Sequence, residues 1–99
     1  MLESAWVPHG RFRGEGRVAL SLSLAPGETG EVELTVRAQE PPGTLVENAF
    51  LILRARLAET PWRIFARMRV EFDAKAHPRP VVESVTFQRV AAAAEEENL

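Results

Sequence analysis

Val46-Glu47-Asn48-Ala49-Phe50-Leu51-Ile52-Leu53-Arg54-Ala55-Arg56-Leu57, followed after Ala58-Glu59-Thr60-Pro61 by Trp62-Arg63-Ile64-Phe65-Ala66-Arg67-Met68-Arg69-Val70-Glu71-Phe72-Asp73, decides the fold. Side chains alternate between two faces along a strand, and both stretches alternate apolar with mostly charged residues over a dozen positions. Each is too long and too regular in period two to be a helix, so together they predict a long β-hairpin. Closing the loop with Leu57 opposite Trp62 sets Ala55 against Ile64, Leu53 against Ala66, Leu51 against Met68 and Ala49 against Val70. Every member of that set is apolar. A slip by one residue would set these positions against arginines, so the faces are strongly specified.

The same rhythm continues on either side. Val18, Leu20, Leu22 and Leu24 alternate with small or polar residues, Pro26-Gly27-Glu28-Thr29-Gly30 supplies turn chemistry, and Val32, Leu34 and Val36 resume the alternation. Pro presets one backbone angle and Gly permits positive φ, so these segments predict a second hairpin with a five-residue connection. Pro41-Pro42-Gly43-Thr44 and His77-Pro78-Arg79-Pro80 are further breaks. A last strand is expected over about Val81–Val90, with Val81, Val85 and Phe87 inward. Glu83 shares their parity, which predicts a bulge or an edge position. Ala5-Trp6-Val7 reads as a short edge strand. Residues 91–99, four Ala and three Glu followed by Asn98-Leu99, form a short acidic tail, helical or disordered, because so short a helix is marginal alone.

Six or seven strands with turn signals between them, and no internal helical pattern, predict an all-β chain: one antiparallel β-sandwich domain over 1–90 with the tail appended. Leu24-Ala25-Pro26-Gly27-Glu28-Thr29-Gly30-Glu31-Val32-Glu33-Leu34-Thr35-Val36 resembles the strand–turn–strand opening of bacterial immunoglobulin-like and fibronectin type III-like domains. About 70 residues are compatible with that resemblance. It implies a sandwich that serves as a spacer or binding module, with no chemistry of its own. The chain departs from true immunoglobulin domains in lacking the Cys–Trp–Cys core and, with no Tyr, the tyrosine corner.

Composition narrows the function. Ninety-nine residues allow one domain, and 45% apolar with 26% charged residues fits a globular chain. With no Cys, disulfides, thiolate metal sites and thiol nucleophiles are excluded. A formal charge of -2 gives no bulk attraction to nucleic acid or an acidic membrane. No stretch approaches a membrane-spanning helix, and Met1-Leu2-Glu3-Ser4-Ala5-Trp6 lacks the pattern of a signal peptide, so a cytoplasmic location is expected. Eleven Arg against Lys75 alone, thirteen Glu against Asp73 alone, and only four Asn and Gln point to a GC-rich, heat-adapted bacterial host.

Catalytic constellations are thin. Asp73 and His77, four apart, could pair as base and orienter, but a solvated loop explains them more simply. No two His have metal-ligand spacing. Gly10-Arg11-Phe12-Arg13-Gly14-Glu15-Gly16 superficially resembles a phosphate loop, yet a strand follows it where a helix is needed. No catalytic residue, metal or cofactor is assigned. Trp62 is expected to cap the core, and Trp6 to pack beneath an edge.

One feature stands above this background. The face of the long hairpin opposite its apolar set carries Phe50, Ile52, Arg54 and Arg56 on one strand, and Arg63, Phe65, Arg67, Arg69, Glu71 and Asp73 on the other. In the register above, Arg56 faces Arg63, Arg54 faces Phe65, Ile52 faces Arg67 and Phe50 faces Arg69. Like charges opposed and bare rings call for a cover. Glu31 and Glu33 on a neighbouring strand would neutralise the stripe within the chain, and the acidic Ala/Glu tail would cover it within one chain or between two. An interface with a second copy or another protein would cover it equally, since Arg and aromatics are enriched at interfaces. A polyanion such as single-stranded nucleic acid would use Arg for phosphates and Phe for stacking. The expected function is a non-catalytic protein-interaction domain acting through Phe50, Ile52, Arg54, Phe65, Arg67 and Arg69, possible homodimerisation included, with polyanion binding by the same face as the alternative.

Overall fold

The computed structural model describes residues 1–90, and the expected tail lies outside them. Seven strands form: β1 (Leu2–Trp6), β2 (Arg13–Gly14), β3 (Val18–Leu22), β4 (Val36–Arg37), β5 (Leu45–Leu57), β6 (Thr60–Phe72) and β7 (Pro78–Arg89). Five make one antiparallel sheet in the order β3-β1-β5-β6-β7, and β2 pairs with β4 as a separate two-stranded ribbon. The described chain is all-β with no helix, so no helix is long and apolar enough to cross a membrane.

The long hairpin β5–β6 forms, with a register different from the expected one. Leu57 pairs with Thr60, Ala55 with Trp62, Leu53 with Ile64, Leu51 with Ala66 and Ala49 with Met68. The shift is two residues, so every side chain keeps its face while its opposite number changes. The cause is the turn. Only Ala58 and Glu59 form it, at φ of 46° and 67°, the left-handed pair of a tight hairpin turn in which Asn-Gly is favoured. Pro61 therefore joins the strand. At the other end Asn48, with φ of 57°, sits in a bulge between Val46 and Ala49. Asn tolerates that conformation better than most residues. The extra residue returns Val46 to the same face as Ala49, opposite Val70.

The hairpin expected over 18–36 does not form as a ladder. Its turn does: the Glu28 N–H donates to the Ala25 carbonyl at 3.0 Å, with Gly27 at φ of 83°. Beyond it the chain crosses β3 without pairing to it. A Cβ on Gly30 would lie 3.0 Å from side-chain carbons of both Leu22 and Leu24, so only Gly passes there without displacing them. β3 pairs with β1 instead, and β4 with β2. Of the segment Ala5-Trp6-Val7, expected at an edge, Ala5 and Trp6 belong to β1, a strand inside the sheet between β3 and β5, and Val7 follows it.

The core occupies one end of one face. Val46, Ala49, Met68, Val70 and Phe72 from β5 and β6 meet Val7 and Phe12 from the chain leading to the ribbon, with Leu34, Val36, Ala38 and Leu51 packed against them. Val70 and Ala49 are wholly inaccessible. The ribbon is held over this end by Arg11, whose Nε and Nη2 donate to the two carboxylate oxygens of Glu40 at 2.9 and 3.1 Å. That bidentate grip holds the Glu40 carboxyl below its ordinary value, the hydrogen bond from Arg11 being the main cause.

Along the rest of that face the cover stops. β7 is an edge strand with a bulge between its partners to Arg67 and Met68, as the parity of Glu83 predicted. The bulge turns the inward set over: Val82, not Val81, shares the face of Met68, while Val85 and Phe87 oppose Ala66 and Ile64. These side chains do not enter the core. Val82, Val85 and Phe87 are 55%, 50% and 60% exposed, and Leu57 at the same end is 57% exposed. Trp62, opposite Ala55 and Arg89, is half-buried at this end and does not cap the core cluster.

Candidate interaction surfaces

The six residues singled out by the sequence do share one face. Strand alternation and register place Phe50 opposite Arg67, Ile52 opposite Phe65 and Arg54 opposite Arg63, with Arg69 next along the row. The two-residue shift changes each expected pair and leaves the cluster intact. Ile52 now faces a ring where an arginine was expected, and the Phe50 and Phe65 rings meet edge to face at 6.5 Å and 87°. Such an arrangement brings the positive edge of one ring to the negative face of the other. All of these side chains are half-buried except Arg67, which is exposed.

The charge on this face is balanced by a set of carboxylates other than the expected one. Arg69 lies between Glu71 and Glu83, its Nε 3.3 Å from one carboxylate and its Nη1 3.5 Å from the other. Its Nε is shielded from solvent yet makes no well-angled hydrogen bond, so the contact with Glu71 is an ion pair only. Arg56 pairs with Glu3 at 3.5 Å. Glu31 and Glu33 are exposed, outside any strand, and form no ion pair among the described residues. Their segment turns Leu34 and Val36 toward the core, on the opposite side of the sheet, and so cannot reach the arginines. Trp6, at the β1 end, has the Arg17 guanidinium 5.5 Å above its ring, a cation–π contact.

Asp73 and His77 are brought together, as structural partners. Asp73 Oδ1 accepts the backbone N–H groups of Lys75 and His77, both at 2.9 Å, and Arg79 donates to Oδ2 at 3.3 Å. The Ala76 N–H closes a turn on the Asp73 carbonyl, and Ala76 takes a left-handed φ of 61°. These donors, the His77 N–H first among them, hold the Asp73 carboxyl below its ordinary value. The carboxylate organises the β6–β7 turn, while the imidazole lies 3.8 Å away and open to solvent. In the Gly10–Gly16 stretch, the Gly14 N–H donates to the Val7 carbonyl at 2.9 Å and begins the ribbon. No group of three metal-ligating side chains occurs among the described residues.

The sequence reading missed a second surface, the bare strip of Leu57, Val82, Val85 and Phe87. The sequence carries no sign of it, because Val85 and Phe87 sit in an ordinary alternating pattern. Comparison with protein-family models, with curated proteins and with solved structures finds no match to this chain.

Proposed function

We propose that the chain is a non-catalytic protein-interaction domain. The observation that carries this reading is the strip of four large apolar side chains, Leu57, Val82, Val85 and Phe87, each half or more exposed, on the face whose other end holds the core cluster. Contiguous apolar surface beside polar surroundings marks a contact site. The Arg/Phe face (Phe50, Ile52, Arg54, Phe65, Arg67, Arg69) is the second contact surface, suited to a protein that brings carboxylates to Arg67 and apolar groups to the rings. We read the ribbon and the segment before it as a partial second layer, the remnant of a sandwich. The commitment of Asp73 to backbone donors supports a role without catalysis.

Polyanion binding is the second reading, favoured by one observation: Arg67 is exposed, beside Phe50, and has no ion pair among the described residues. Against it, Phe50 and Phe65 are half-buried and the edge of one ring already occupies a face of the other. Light scattering across a concentration series, on the native chain, Phe65→Glu and Phe87→Glu, tests the first reading. A mass above the monomer, lowered by either variant, supports it. A strict monomer that binds labelled oligonucleotides, with affinity falling steeply in salt and lost in Arg67→Glu, gives the second reading the place.

A further inference from the structure

We propose that β7 is a self-pairing edge: two copies of this chain join antiparallel through β7 about a two-fold axis at Thr86, so that one sheet continues into the other. The inference rests on the interaction-domain reading and names its partner.

The two edges of the sheet differ. β3 has five residues, whereas β7 has twelve, and every residue from Arg79 to Arg89 is exposed. An edge strand presents a row of unpaired N–H and C=O groups, and proteins blunt such edges with Lys, Pro or brevity. β7 has no Lys, and its prolines, Pro78 and Pro80, lie at one end. From Ser84 to Gln88 the strand is regular, uncharged and free of Pro.

Its sequence is complementary to itself in one register. With Thr86 opposite its own copy, Val85 faces Phe87 and Ser84 faces Gln88, while Glu83 stays in its bulge, turned to Arg69 on the other face. Apolar meets apolar and amide meets hydroxyl across the whole regular stretch. Centring the pair on Val85 would set Phe87 against Glu83 and Arg89 against Val81. Centring it on Phe87 would set Arg89 against Val85. Neither matches. Pairing residues of equal parity also keeps the apolar faces of both copies on one side, so Val85 and Phe87 cover each other across the axis. A two-fold antiparallel contact closes on itself and stops at a dimer. The Glu83 bulge ends the regular stretch and limits the pairing to the segment centred on Thr86.

The chain contains no Cys, so single cysteines report geometry cleanly. Thr86→Cys places two thiols face to face across the axis, where directly opposed Cβ atoms are about 4.5–5.5 Å apart, close enough for a disulfide after a small adjustment. Ser84→Cys and Gln88→Cys are each about 13 Å from their own symmetry mates along the strand, beyond any bridge. Under mild oxidation Thr86→Cys is expected to give a covalent dimer roughly tenfold faster than either control alone, and the two controls mixed are expected to cross-link to each other. In light scattering, Phe87→Lys is expected to restore the 11.0 kDa monomer, and the paired substitution Val85→Glu with Phe87→Lys to recover the dimer. Both positions are largely exposed, and circular dichroism on each variant verifies the fold. A dimer in which Thr86→Cys cross-links no better than Ser84→Cys overturns the β7 pairing and leaves the interaction reading standing. A monomer at every concentration overturns self-association by any surface.

Discussion

The two ends of the β5–β6 face have the same alternation and opposite fates. At one end Val46, Met68, Val70 and Phe72 lie under Val7, Phe12 and Leu34. At the other, Leu57, Val85 and Phe87 face solvent. Strand pattern decides which side chains share a face, and the loops that fold over it decide which of them become core. Arg11 and Glu40 hold the cover at the first end. The second end has no equivalent among the described residues.

The comparison breaks if the two ends respond alike to truncation. Phe72→Ala is expected to cost about 3–5 kcal/mol, since it removes a buried ring and leaves a cavity. Denaturant unfolding measures it. The turns allow a sharper test, because each end closes on a residue held at positive φ without being Gly. Glu59→Gly at the bare end and Ala76→Gly at the covered end are each expected to stabilise the chain by about 1 kcal/mol, by relieving left-handed strain. Equal gains in melting temperature would show that turn strain is local and indifferent to cover. Phe87→Ala, by contrast with Phe72→Ala, is expected to change the stability of the dilute chain by less than about 0.5 kcal/mol.

The smallest effect is electrostatic and confined to the β6–β7 turn. The Asp73 carboxyl titrates lower when folded than its ordinary 3.8, so its contribution is complete above that pH and is lost as pH falls through the lower folded value. The amide resonances of Lys75 and His77, which donate to Asp73, should shift together in that acid range while the Ala58-Glu59 turn stays unchanged. Simultaneous loss at both turns would mean global acid unfolding instead.

The long hairpin, its faces and the Arg/Phe cluster were legible because parity survives a shift of two. The register was not, since Ala58 and Glu59 carry none of the Asn-Gly chemistry that announces a two-residue turn. Glu83 announced its bulge by breaking the parity of Val81, Val85 and Phe87. Val32, Leu34 and Val36 misled for a different reason. Their alternation reports a segment with one buried side, and it says nothing of whether hydrogen bonds to a neighbouring strand accompany that burial. The bare strip was hidden by the same logic, because an apolar residue in a half-buried pattern looks identical whether or not a loop reaches it.

The place of β1 in the sheet sets the order in which the molecule can be assembled. β5, β6 and β7 follow one another through short turns, so their pairings close small loops and are entropically cheap. β1 must find β5 across more than forty intervening residues, Leu2 meeting Ala55, whereas β1 and β3 close over a short loop, Ala5 meeting Val18. The sheet is therefore two locally closed units, the β5–β6–β7 meander and the β1–β3 pair, joined along one long-range seam between β1 and β5. Until β1 docks, the meander has two open edges, that of β5 as well as that of β7. A rapid second arrival at β5, by β1 of the same chain, separates ordered assembly from runaway strand addition.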